Sequence, residues 1–140
     1  MRLENWNDIG QGFHPVSAPD YLPTAQLREL QLRRLKAVVE RAYAKVTPFR
    51  QRLDERGLRP SAIESLADIA KLPFSVKTDL RDHYPFGLFA SPMSEIVRLH
   101  ASSGTTGKPI VVAYTQEDLD VWSSVMARTF AAAGIHRGDV

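Results

Sequence analysis

Glu95-Ile-Val-Arg-Leu-His100, Ala101-Ser-Ser-Gly-Thr-Thr-Gly-Lys-Pro109, Ile110-Val-Val-Ala-Tyr114: across these twenty residues the chain changes from one structural habit to another. The first segment alternates loosely and is rich in β-formers, and the third is an apolar β-branched run, so both are predicted as strands. Between them, Ser102, Ser103, Gly104, Thr105, Thr106, Gly107, Lys108 and Pro109 form a loop dominated by small polar residues. Gly104 and Gly107 let the backbone turn sharply and aim its N–H groups at one point without Cβ obstruction. Four hydroxyls add rotatable donors, and Lys108 adds a mobile positive charge. Many donors, one cation and little steric bulk suit a polyphosphate.

The loop is not a Walker A motif. That motif needs glycine where Ser102 stands and a hydroxyl residue after the lysine, where this chain has Pro109. A strand, not a helix, is predicted to follow. The phosphates would therefore lie over a hairpin loop and not at a helix N-terminus. A plain hairpin turn is the simpler alternative, but a turn does not need eight such residues and a cation.

Downstream, Thr115 opens a long helix over 116–133, with Asp118 in the capping-box position. Leu119, Trp122, Val125, Met126, Thr129, Phe130 and Ala133 line one face and are predicted to be core, with Gly134 as the stop. Gly138-Asp139-Val140 reads as a turn just completed before a further strand, so the chain is expected to break off in mid-fold. Upstream, Leu27, Leu30, Leu35, Val38, Val39 and Ala42 recur at helical spacing, predicting an amphipathic helix over 24–45 capped by Thr24. Thr47-Pro48 predicts an N-cap and first turn, and Gly57 the end of that helix. Ser65–Lys71 and 76–83, the latter capped by Ser75, predict two more short helices. Residues 1–23, with Trp6, Phe13 and Tyr21 among glycines and prolines, predict an extended arm. The fold class is α/β, and α+β within this stretch. A helical region over 1–90 is followed by the start of a second domain over 91–140.

The chain has 140 residues, 44% hydrophobic and 24% charged, as expected for one globular domain. It has no cysteine, which excludes disulfides, thiol nucleophiles and thiolate metal sites and suits a reducing cytoplasm. No signal-peptide pattern or bilayer-length apolar run is visible, so a cytosolic chain without a membrane partner is expected. The net charge of +2 conceals a basic stretch from Arg28 to Arg59. A nucleic-acid surface could look like this. A solvated helix face with Glu29–Arg33 and Lys36–Glu40 pairs explains it more simply, and no nucleic-acid motif accompanies it. His14, His83 and His136 are isolated and predict no metal site. His100, at a strand end, is either structural or on the substrate side of the loop.

Ser-Ser-Gly-Thr-Thr-Gly-Lys-Pro (102–109), followed by a strand and Tyr114-Thr115, resembles the phosphate loop of adenylate-forming enzymes. Lys71-Leu-Pro-Phe-Ser-Val-Lys77, Tyr84-Pro-Phe-Gly-Leu-Phe-Ala90 and Arg98-Leu-His-Ala-Ser-Ser103 are similar to the phenylacetate–CoA ligases within that superfamily. The resemblance covers roughly residues 24–140. It implies that 91–140 begins an adenylating domain. It also implies a two-step reaction, in which an aryl acid and Mg2+-bound ATP give acyl-AMP and coenzyme A then takes the acyl group. No tightly bound cofactor is implied. Ser102, Ser103, Gly104, Thr105, Thr106, Gly107 and Lys108 would hold the β- and γ-phosphates.

The family's acid pocket, nucleotide contacts, Mg2+-binding acid and catalytic lysine would lie beyond Val140. No catalytic residue is therefore assigned within the chain, which is expected to be inactive alone. Two alternatives stand beside this reading: a non-catalytic helical module for docking or homodimerisation, and a ligase for another aryl acid such as benzoate.

Overall fold

The computed structural model describes residues 15–102, 109–135 and Asp139. The fold is α+β: among the described residues there are four α-helices, short 3-10 segments and one antiparallel pair of strands. It divides into two compact units, residues 28–116 and residues 1–27 with 117–140.

The larger unit contains most of α1 (Thr24–Lys45), then α2 (Thr47–Glu55) and α3 (Lys77–Asp82). Its core is Val39, Leu53 and Ile63, against which Leu32, Leu35, Tyr43, Phe49, Leu58 and Leu72 pack. Val38, predicted on the same face as Val39, is instead exposed. Successive helical residues diverge by about 100°, and a small core reaches only one of the two. Gly57 ends α2 as predicted, at φ +64°, with Gly57 and Leu58 N–H groups donating to Asp54 and Leu53 carbonyls.

The predicted caps are displaced by one residue. Val46 and Val76, not Thr47 and Ser75, are the N-cap residues of α2 and α3. A valine side chain cannot accept a hydrogen bond, so the free N–H groups need other partners. In α3, Asp79 reaches back to accept from the Val76 N–H at 2.8 Å. The predicted short helix at 65–71 is a 3-10 segment, Leu66–Lys71, opened by Asp68 Oδ2, which accepts from the Glu64 and Ser65 N–H groups.

Four arginines of the basic stretch, Arg41, Arg52, Arg56 and Arg59, help to hold this unit together. Arg52 forks onto Asp79 at 2.6 and 2.8 Å and also donates to the Phe74 carbonyl at 3.1 Å. Arg56 donates to the Lys71 carbonyl, Arg41 to the Ser91 hydroxyl, and Arg59 to Asp54 and the Tyr43 hydroxyl. These arginines tie α1 and α2 to the loops that follow, and their guanidinium groups are occupied by protein acceptors.

In the other unit, residues Pro15–Tyr21 form a 3-10 helix with Pro19 inside it, where an extended arm was predicted. Proline's fixed φ falls in the 3-10 range, so Pro15 and Pro19 favour this turn as readily as an extended chain. Residues 1–14 of the predicted arm lie outside the described residues. Asp20 accepts two hydrogen bonds from Arg128 of α4 (Gln116–Ala132), which ties the 3-10 segment to that helix. Gly134 at φ +76° closes α4, with the Ile135 N–H donating to Phe130 O. The predicted apolar face is present, but it is not core: Trp122, Val125, Met126 and Phe130 are all exposed. Amphipathic spacing shows that a face suits burial without supplying what buries it.

Candidate functional site: the hairpin and its loop

β1 (Ile96–Ser102) and β2 (Ile110–Thr115) pair antiparallel, and α3 lies beside β2. The register runs Arg98↔Tyr114, Leu99↔Ala113, His100↔Val112, Ala101↔Val111 and Ser102↔Ile110. An irregularity between Ile96 and Arg98 shifts the far end of the ladder, with Ile96 opposite Thr115. Beta-branched Val97, Ile110, Val111 and Val112 suit the pleated backbone, while Pro109, lacking an N–H, stands just before β2. The first strand extends two residues beyond its predicted end, so Ser102 is a strand residue.

The described ladder runs as far as Ser102 and Ile110, and the segment between them joins the two strands. The described residues give the predicted strand on each side of that segment. Ser102 is exposed at the end of β1. Ser103, Gly104, Thr105, Thr106, Gly107 and Lys108 lie outside the described residues. Just before the loop, the His100 ring meets the Tyr114 ring edge-on, with centroids 5.0 Å apart and an interplanar angle of 62°.

The acidic groups with displaced pKa values are structural. Asp79 is the buried charged residue among those described, and the Arg52 guanidinium, with the Val76 N–H, holds its carboxyl down at about 2. Lys71, aided by the Ser65 and Glu64 N–H groups, holds Asp68 well below the usual carboxylate range. Arg128 lowers Asp20 in the same way. A carboxylate so firmly ionised is a poor proton carrier. An open cavity beside Asp79 is lined by Val46, Phe49, Ser75 and Leu88, but its charged groups, Arg52 and Asp79, are engaged with each other. No group of three His, Asp or Glu among the described residues is placed to hold a metal ion. Sequence reading singled out neither Arg52–Asp79 nor Asp20–Arg128. The partners stand 27 and 108 residues apart, and no local pattern signals such pairs.

No family model matches the chain. Individual relatives do. The chain is 55% identical over 117 residues to phenylacetate–CoA ligase of Thermus thermophilus, covering 84% of this chain and 26% of the relative. The corresponding ligase of Aromatoleum evansii is 53% identical over 115 residues, 82% of this chain and 26% of the relative. That of Escherichia coli K12 is 50% identical over 109 residues, 78% of this chain and 25% of the relative. The chain thus spans about a quarter of the length of the curated relatives it matches.

Among solved structures, 2-hydroxyisobutyryl-CoA ligase in its postadenylation state superposes with a TM-score of 0.75 at 28% identity, covering 97% of this chain and 31% of that one. The same ligase with 2-hydroxyisobutyryl-AMP and CoA, in the thioesterification state, gives 0.69 at 34% identity, covering 76% and 24%.

The fold and the hairpin frame define the class that the chain resembles: they match the N-terminal region of adenylate-forming CoA ligases. Within that class the sequence is 50–55% identical, over most of its length, to the N-terminal quarter of phenylacetate–CoA ligases.

Proposed function

We propose that the chain supplies the phosphate loop of an ATP-dependent aryl-acid–CoA ligase acting on phenylacetate. In the complete enzyme, a carboxylate oxygen attacks the α-phosphorus of Mg2+-bound ATP and pyrophosphate leaves, giving acyl-AMP. The sulfur of coenzyme A then attacks the acyl carbon, and AMP leaves. Charge builds on the departing phosphates in the first step. Ser102, Ser103, Gly104, Thr105, Thr106, Gly107 and Lys108 are the donors we assign to it, preorganised N–H and hydroxyl groups and one ammonium. Residues 91–140 open the adenylating domain and 1–90 form its helical approach. The observation that carries the proposal is the register of the hairpin, which brackets the donor-rich segment between Ser102 and Ile110.

The test uses the complete ligase. Lys108→Ala is expected to slow acyl-adenylate formation about tenfold to a thousandfold, the scale of losing one charge-stabilising donor. Thioester formation from supplied acyl-AMP should change much less, because no pyrophosphate leaves in that step. Equal loss in both half-reactions would remove the assignment. Comparing phenylacetate with benzoate in the same assay decides the acid.

The exposed apolar face of α4 favours a second, compatible role as a docking surface, in the simplest case for a homodimer. Sedimentation of the isolated chain across a wide concentration range tests it, and a strictly monomeric chain would exclude the homodimer. The absence of cysteine supports a cytoplasmic setting.

A further inference from the structure

A loop that must meet phosphate oxygens needs both its ends held, because small displacements of donors cost rate steeply. Among the described residues both ends rest on two strands, β1 and β2, and a two-stranded pair gains its stability from cross-strand side-chain contacts as well as from its ladder. The irregularity between Ile96 and Arg98 weakens the ladder further at its far end. Side-chain contacts across the pair add to the ladder in keeping Ser102 opposite Ile110.

Directly opposed residues of an antiparallel pair share a face. The register thus puts Arg98, His100 and Ser102 on one face with Ile110, Val112 and Tyr114. The other face carries Leu99, Ala101, Val111 and Ala113, aliphatic and mostly small, with Leu99 exposed. On the first face His100 lies opposite Val112 and diagonal to Tyr114, a separation that aromatic side chains can span. The two rings meet edge-on, 5.0 Å between centroids, and both residues are half-buried while Val97, Leu99 and Val112 are exposed. An edge-to-face contact has a defined geometry, so it resists both sliding and splaying of the strands. A one-residue slip would carry His100 to the opposite face and abolish the contact.

We propose that His100 and Tyr114 form an aromatic clasp that keeps the hairpin mouth in register and so positions the phosphate loop for adenylation. The proposal rests on the function assigned above. His100 is a positioning residue, acting through its ring on Tyr114 and not through proton transfer to substrate.

The experiment compares complete ligases carrying His100→Ala, His100→Phe, Tyr114→Ala and the double alanine change. It reads ATP–pyrophosphate exchange, thioester formation from supplied acyl-AMP, and amide hydrogen exchange over residues 97–115. His100→Ala should lower kcat/KM for ATP in the exchange reaction about three- to tenfold, the range of one aromatic pair, and leave the thioester step unchanged. His100→Phe, which keeps an aromatic ring, should restore most of the loss. The double change should be no worse than either single one, because the same contact is removed. Protection of the hairpin amides should fall with His100→Ala and recover with His100→Phe.

Equal loss in His100→Ala and His100→Phe would show that the imidazole nitrogens matter, and would overturn the clasp. So would unchanged amide protection in His100→Ala, or additive losses in the double variant. If the unmodified ligase shows no exchange activity, the assigned function fails, while the hydrogen-exchange comparison still decides the clasp.

Discussion

Two helices of similar amphipathic design meet different fates in this molecule. α2 buries Leu53 to 1% exposure within the cluster of Val39 and Ile63. α4 is longer and carries larger apolar side chains, yet none of its residues is fully buried and Phe130 remains 47% exposed. The short helix is covered because α1, the 60s turn and the arginine contacts to later loops lie against it in one unit. For α4 one side-chain tie is a surface ion pair, Arg128 to Asp20. An apolar stripe is thus a statement about what a helix can do, and its energetic worth depends on what covers it.

Substitutions in the two helices put that difference to a direct test. Leu53→Ala should destabilise the chain by about 2–5 kcal/mol, the range for truncating a buried leucine. Urea unfolding measures it, and a loss below about 1 kcal/mol would mean that the α2 core is not the main store of stability. Gly57→Ala should cost about 1–2 kcal/mol, because an L-residue is strained at φ +64°. The glycine that closes α4, Gly134 at φ +76°, would incur the same strain. Its effect on unfolding should nevertheless be smaller if α4 contributes little to the cooperative unit.

The ionic ties sharpen the comparison through pH. Asp79 titrates near 2 in the folded chain and at 3.8 unperturbed, held down by Arg52. A depressed carboxyl contributes its full stability above the unfolded value and loses it as pH falls through the folded one. Stability should therefore hold down to about pH 4 and decline toward about pH 2. Asp68 and Asp20, lowered by Lys71 and Arg128, add to the same limb. In thermal melts, Asp79→Asn should be less stable at neutral pH and show a shallower acid decline. An unchanged acid limb would mean that the Arg52–Asp79 fork contributes nothing.

The smallest effect is expected at Phe130. In the isolated chain, Phe130→Ala should change stability by no more than about 0.5 kcal/mol, as at other exposed sites. In a complete ligase the same substitution should cost more than about 1 kcal/mol if the rest of the enzyme covers this face. A large cost in the isolated chain would break the comparison, since it would mean that α4 is already packed.

Much of this was legible before any coordinates. The spans of α1, α2 and α4 follow from local causes: helical spacing, Pro48 in the first turn of α2, and the left-handed glycines 57 and 134 at the helix ends. The hairpin follows from β-branched runs on either side of small polar residues, and the loop's chemistry from residue types alone, since donors, glycines and a lysine keep their character wherever they are placed. Other features depend on residues brought together from far along the chain. Val39 is buried and Val38 is not because a small core touches one arc of α1. Asp79 serves α3 as its N-terminal acceptor through a contact three residues away, but it becomes the ion-pair partner of Arg52 only once α2 and the 74–79 segment meet. The irregularity in β1 between Ile96 and Arg98 and the diagonal contact of His100 with Tyr114 depend on the register, which no single strand encodes. Local preference is a property of neighbouring residues, whereas burial, ion pairing and register are properties of what the fold places opposite them.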